Sequence, residues 1–129
     1  MSGVLRIAIA GLGTVGAGTL KLLREQAGLL ERRCGRALAV TDVSARSRDR
    51  NRGVELSTVP WHANAVEMAS TANVDVVVEL IGGADGVARQ VVEAAILAGR
   101  HVVTANKALL ARHGSRLARL PAERGGTPA

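Results

Sequence analysis

Val4-Leu5-Arg6-Ile7-Ala8-Ile9-Ala10-Gly11-Leu12-Gly13-Thr14-Val15-Gly16 is the stretch on which the fold turns. Val4 to Ala10 reads as an apolar, β-branched strand that Gly11 closes. Leu20, Leu23, Ala27 and Leu30 then recur at helical spacing, which predicts a helix from Thr14 to about Leu30. The glycines between follow the pattern G-x-G-x-x-G, and a strand before and a helix after are the context this pattern requires. Gly11 permits a tight turn, Gly13 lets a diphosphate approach the backbone, and Gly16 lets the helix lie close to the strand. Free N–H groups and the dipole of the first helical turn favour the diphosphate charge. Gly11, Leu12, Gly13, Thr14, Val15 and Gly16 are therefore candidate binding residues. The plain alternative is a glycine turn that only shapes the junction.

Outward from this stretch, Gly35 ends a connection and Leu38 to Ser44 reads as a second strand. An Arg-rich loop runs to Gly53, and Val54 to Val59 suggests a short strand before Pro60. Ala63 to Ala72 is a weak helix. Val74 to Ile81 is the clearest strand, stopped by Gly82-Gly83. Val87, Val91, Ala94, Ala95 and Ala98 share one helical face, and Gly99 caps it. His101 to Thr104 is another strand, and Asn106 is a suitable N-cap for a helix from Lys107 to about His113. Ser115 to Leu120 looks like the start of a further helix that Pro121 interrupts. The alternation implies an α/β fold, a doubly wound, mostly parallel sheet of the Rossmann dinucleotide-binding type with right-handed crossovers. The domain is expected over 1–120, with 121–129 a frayed tail.

The composition narrows the function. A chain of 129 residues fits one domain. Trp61 is the sole aromatic, so Val, Leu, Ile and Ala must build the core, as suits a buried parallel sheet. Cys34 is the sole cysteine, and no Cys/His group has metal-ligand spacing. The apolar runs are far too short to span a bilayer, and Val4 leads straight into the glycine motif, which leaves no room for a signal peptide. A secreted disulfide scaffold, a membrane protein and a zinc module are thus excluded, and a reducing cytoplasm is the expected compartment. The net charge of +6 is densest in the arginines at 46, 48, 50 and 52. Without interleaved aromatics or a recognition motif, this loop is not expected to bind nucleic acid. An anionic cofactor or a merely solvated face remains as its explanation.

The end of the second strand discriminates between NAD and NADP. An acid there would meet the ribose 2′-hydroxyl, whereas arginine accommodates a 2′-phosphate. Asp42 lies 26 residues after Gly16, far for the usual acid and inside the strand. Ser44 and Arg46 sit at its carboxyl end, so NADP is favoured over NAD. Gly82 and Gly83 end the fourth strand where a nicotinamide ribose would pass, unless they are a plain turn. Lys107 follows the next strand at the same edge. Transfer of a hydride from an alcohol carbon needs a group to take the hydroxyl proton. Lysine can do so when desolvation or nearby positive charge favours its neutral form, whereas arginine cannot. The chain has fifteen Arg and two Lys, which draws attention to this one. An ordinary solvated first-turn lysine is the alternative.

Leu5 to Gly16, Val76-Val77-Val78-Glu79-Leu80-Ile81-Gly82-Gly83, and Ala98-Gly99-Arg100-His101-Val102-Val103-Thr104-Ala105-Asn106-Lys107-Ala108-Leu109-Leu110-Ala111 closely resemble homoserine dehydrogenase, to about Leu120. The Thr-Ala-Asn-Lys run is the specific part. The resemblance implies the reversible NAD(P)-dependent interconversion of L-homoserine and L-aspartate 4-semialdehyde, on the route to threonine, methionine and isoleucine. It implies that Lys107 lies beside the nicotinamide and the reacting group. It also matches Leu12, Thr14 and Val15 to cofactor contacts and Arg46 to a basic residue near the 2′-position. Family members continue into a substrate domain with the homoserine-binding carboxylates, a second catalytic lysine, a monovalent cation site and the homo-oligomer interface. That domain is expected to be absent here, so that this chain alone would be inactive. The rival readings are a non-catalytic dinucleotide-binding module and a different dehydrogenase built on the same cofactor domain.

Overall fold

A computed structural model describes residues 3–45, 59–81, 86–104 and 106–123. Among these described residues, five strands and five helices follow in the order β1 (Leu5–Ala10), α1 (Thr14–Glu25), α2 (Ala27–Cys34), β2 (Leu38–Ser44), β3 (Trp61–His62), α3 (Ala65–Thr71), β4 (Val76–Glu79), α4 (Val87–Leu97), β5 (His101–Thr104) and α5 (Lys107–Glu123). The strands form one parallel sheet in the order β3-β2-β1-β4-β5. The chain leaves β1 toward β2 and β3 on one side, then returns across to β4 and β5 on the other. The turn after β1 therefore stands at the point where the winding reverses, where open α/β sheets bind ligands.

Alternation along β1 divides the core into two layers. Ile7 and Ile9 face Leu12 and Leu20 of the α1 side, joined by Val43 and Val59. Ala8 and Ala10 face the opposite layer, with Met68, Ala69 and Ala72 around α3 and Val91 and Ala95 on α4. The small alanines of β1 let those two helices lie close. Trp61 packs half-buried at the rim of the first layer. One residue of β2 bulges: Ile7 pairs with Val40 and Ala8 with Asp42, so Thr41 stands unpaired in the register.

Several elements differ from the sequence reading, among them the expected strand Val74–Ile81, which is Val76–Glu79, and the expected helix Ala63–Ala72, which is Ala65–Thr71. The helix expected over Thr14 to Leu30 is two, because Gln26 leaves helical geometry (φ −102°, ψ 16°) and ends α1 while starting α2. Left-handed Gly35 then closes α2 (φ 75°). The helix after Asn106 does not stop near His113. Leu109 and Leu117, two turns apart, both pack on Val92, and this contact carries α5 through Ser115 and past Pro121 to Glu123. Proline deprives the helix of one hydrogen bond, a loss its final turn tolerates. The short strand at this side of the sheet is Trp61–His62, beyond Pro60; residues 54–58 of the expected strand lie outside the described residues. The strands Leu38–Ser44 and His101–Thr104 have the bounds read from the sequence.

Candidate functional site at the carboxyl edge of the sheet

The glycine turn is fastened to both neighbouring strands. The Gly11 N–H donates to the Ser44 carbonyl at 2.8 Å, and the Leu80 N–H donates to the Ala10 carbonyl at 2.8 Å. These two bonds join the ends of β2, β1 and β4 in one rim. Gly11 has φ +101°, and a Cβ there would lie 2.9 Å from the carbonyl carbon and oxygen of Leu80. Gly16 is more constrained still, because its Cβ would lie 1.9 Å from the Gly11 carbonyl oxygen. The start of α1 is thus pressed onto the turn. Gly13, by contrast, has nothing within 4 Å of a Cβ position. It caps α1 without a side-chain hydrogen bond, and the first turn carries no acid. An open approach over Gly13, leading to a helix amino terminus whose donors no cap satisfies, fits an anionic diphosphate. Val15 stands 65% exposed beside that opening. Leu12 turns its side chain into the core.

Farther along the edge, a relay links β4 to the start of α5. Glu79, the last residue of β4, is 1% exposed. One carboxylate oxygen accepts the Ile81 N–H at 2.7 Å, and the other accepts the Thr104 hydroxyl at 2.6 Å. Glu79 and Thr104 are partners in the β4–β5 register. Thr104 Oγ1 in turn accepts the Asn106 N–H at 3.0 Å, and Asn106 Oδ1 caps α5 by accepting the Leu109 N–H at 3.0 Å. The expected N-cap role of Asn106 is therefore seen. Lys107 is the first residue of α5, directly after this cap. The sequence reading passed over Glu79 and Thr104 as site residues. The signal was there: a lone carboxylate in the Val-rich run at 76–81 has to be held by something.

At the other end of the rim, Ser44 is the last residue of β2 and is buried, 3% exposed. Asp42 lies inside the strand as anticipated. Its carboxylate receives the Thr41 hydroxyl at 2.7 Å and lies 2.7 Å from His62 Nε2, which ties β3 to β2. His62 thus has a structural partner that its place in the sequence did not suggest. Arg46, Gly82 and Gly83 lie outside the described residues. Cys34 is exposed at the end of α2. An apolar groove of about 290 Å³ opens between α1, α2 and β2, lined by Ile7, Leu23, Ala27, Leu38 and Val40 among others. It lies toward the amino ends of the strands, away from the glycine turn. Among the described residues no group of three acidic, His or Cys side chains could hold a metal, and no helix is long and apolar enough to cross a membrane.

Fold and glycine turn together define a Rossmann-type dinucleotide-binding domain. Residues 11–127 match the family model described as "Homoserine dehydrogenase, NAD binding domain". The chain belongs to that family. It is 41% identical over 121 residues to the homoserine dehydrogenase of Pseudomonas aeruginosa, covering 94% of this chain and 27% of the relative. A crystal structure of a homoserine dehydrogenase from Thiobacillus denitrificans superposes with a TM-score of 0.84 at 36% identity, covering 97% of this chain and 29% of that one. The S. aureus homoserine dehydrogenase at pH 7.0 gives a TM-score of 0.83 at 28% identity, covering 98% and 32%. The chain thus spans about a quarter of the length of the curated relatives it matches.

Proposed function

We propose that this chain is the cofactor-binding part of a homoserine dehydrogenase. It would serve the reversible NAD(P)-dependent interconversion of L-homoserine and L-aspartate 4-semialdehyde, in the biosynthesis of threonine, methionine and isoleucine. The observation that carries this reading is a single sheet edge that bears both the open glycine turn and the start of α5 with Lys107, in a chain of this family. The bound nicotinamide dinucleotide supplies the hydride donor or acceptor. Gly11 to Gly16 hold its diphosphate on main-chain donors, and exposed Val15 covers the opening. Gly82 and Gly83 give the nicotinamide ribose room at the end of β4.

Ser44 and Arg46 receive the adenosine ribose and favour NADP. Support comes from Asp42, whose carboxylate is engaged by His62 and Thr41 inside the sheet instead of standing at the edge. Lys107 sits beside the nicotinamide and the reacting carbon, at the place from which a hydroxyl proton is exchanged. The residues that bind homoserine, a second lysine and the homo-oligomer interface belong to the substrate domain of the family. Turnover therefore needs that domain, and the cytoplasm is the compartment where we place the reaction.

In the chain joined to a homoserine dehydrogenase substrate domain, Lys107→Ala is expected to lower turnover by at least about a hundredfold. Unchanged turnover would overturn the role given to Lys107. The chain's coverage of 27% of the Pseudomonas aeruginosa relative also leaves room for a second reading, a dinucleotide-binding module that never turns over. It predicts cofactor binding but no activity even when the substrate domain is supplied in trans.

A further inference from the structure

We propose that Glu79 and Thr104 are positioning residues: a buried carboxylate–hydroxyl relay that sets the β5–α5 corner and, through it, the helical turn that carries Lys107. The inference rests on the place proposed above for Lys107, beside the nicotinamide and in contact with the bound cofactor.

Burial of a carboxylate is costly unless its oxygens are met by donors. At Glu79 both are met, and the donors come from two different places. Ile81 N–H belongs to the chain leaving β4, beside the Gly11 turn that its neighbour Leu80 helps to fasten. The Thr104 hydroxyl belongs to the last residue of β5. A single side chain therefore references both walls of the edge to one another. Thr104 then passes the constraint forward. Its hydrogen is committed to Glu79, so its lone pairs turn to the Asn106 N–H, and Asn106 Oδ1 fixes the Leu109 N–H. Lys107 stands between the two anchored residues. Hydrogen bonds to an ionised group are short and strong, so such a chain holds a corner more firmly than a neutral turn would. An apolar residue at 79 would fill the same buried space but would leave β4 and the start of α5 without this link. That difference is the physical reason for a carboxylate at this position in an otherwise Val-rich strand.

The test is a fluorescence titration of the 129-residue chain with NADPH, applied to Thr104→Val, Thr104→Ser, Glu79→Gln, Lys107→Met and the double variant Thr104→Val/Lys107→Met. Valine is isosteric with threonine and suits a strand, so Thr104→Val keeps the test informative if Glu79→Gln does not fold. Loss of the Lys107 ammonium is expected to weaken binding about tenfold, the scale of one charge-assisted hydrogen bond. Thr104→Val is expected to weaken it about three- to tenfold, and Thr104→Ser, which restores the hydroxyl, less than about twofold. The decisive quantity is the double variant, which should bind no more weakly than Lys107→Met alone. A relay that only stabilised the fold would not depend on Lys107, and the two losses would multiply. Multiplied losses, or a Thr104→Val chain that binds like the parent, would overturn the inference while leaving the cofactor site intact. A parent chain that does not bind, or a Lys107→Met chain that binds as well as the parent, would overturn the reading beneath it.

Discussion

Gly13 and Gly16 stand three residues apart, and the structure demands opposite things of them. A methyl at 16 would meet the Gly11 carbonyl oxygen at 1.9 Å, backbone that cannot step aside. Gly16→Ala should therefore destabilise the fold by about 1–3 kcal/mol, as overpacking does, and show as a lowered melting temperature. A methyl at 13 meets nothing within 4 Å. Gly13→Ala should leave stability within about 0.5 kcal/mol of the parent, as at a surface position. It should nevertheless weaken dinucleotide binding by about tenfold or more, because the methyl occupies the diphosphate approach. Equal affinity in Gly13→Ala, measured beside its unchanged melt, would count against the glycine turn as a binding site. The turn at Gly11 and the close packing at Gly16 were legible in the sequence because each follows from spacing between a strand and a helix. The odd carboxylate at Glu79 was legible too, but its partner was not, because nothing local says that the Thr104 hydroxyl, 25 residues on, faces it from the neighbouring strand.

At the scale of elements, local signals set some bounds and tertiary contacts decided others. Leu38–Ser44 and His101–Thr104 are bounded by glycine or by a change of composition, signals that lie in the chain itself. The break at Gln26 escaped because apolar spacing is blind to one residue whose ψ departs from helical values; Leu23 and Ala27, on either side, still line the same groove. The reach of α5 escaped for the opposite reason. Its continuation is decided by a long-range contact, Leu109 and Leu117 on Val92, against the local evidence of Pro121. Helix α3 shows the balance between local and tertiary support. Asn64 Oδ1 accepts the Glu67 N–H at 3.0 Å, and Met68 is fully buried between the helix and the sheet. Asn64→Ala should cost about 1 kcal/mol, the usual worth of an N-cap. Met68→Ala should cost about 2–5 kcal/mol, because it opens a cavity among Ala8, Val77 and Val91. Denaturant melts of the two variants compare the terms directly. A Met68→Ala chain no less stable than Asn64→Ala would contradict the core drawn here.

Across the whole molecule, the parallel sheet is wound so that its ligand-facing features come together although they are distant in sequence. The glycine turn, the end of β2 and the start of α5 share one edge because every strand runs the same way. The fold was legible from the alternation of strands and helices, and the edge followed from the fold. The proposed preference for NADP rests on Arg46, which lies beyond Ala45, where the described residues stop. On the reading proposed above, this edge binds a nicotinamide dinucleotide. The most direct test of that reading is a fluorescence titration of the 129-residue chain with NADPH and, separately, with NADH. Saturable binding of both is expected, tighter for NADPH. Absence of saturable binding to either, in a chain whose circular dichroism shows it folded, would contradict that reading.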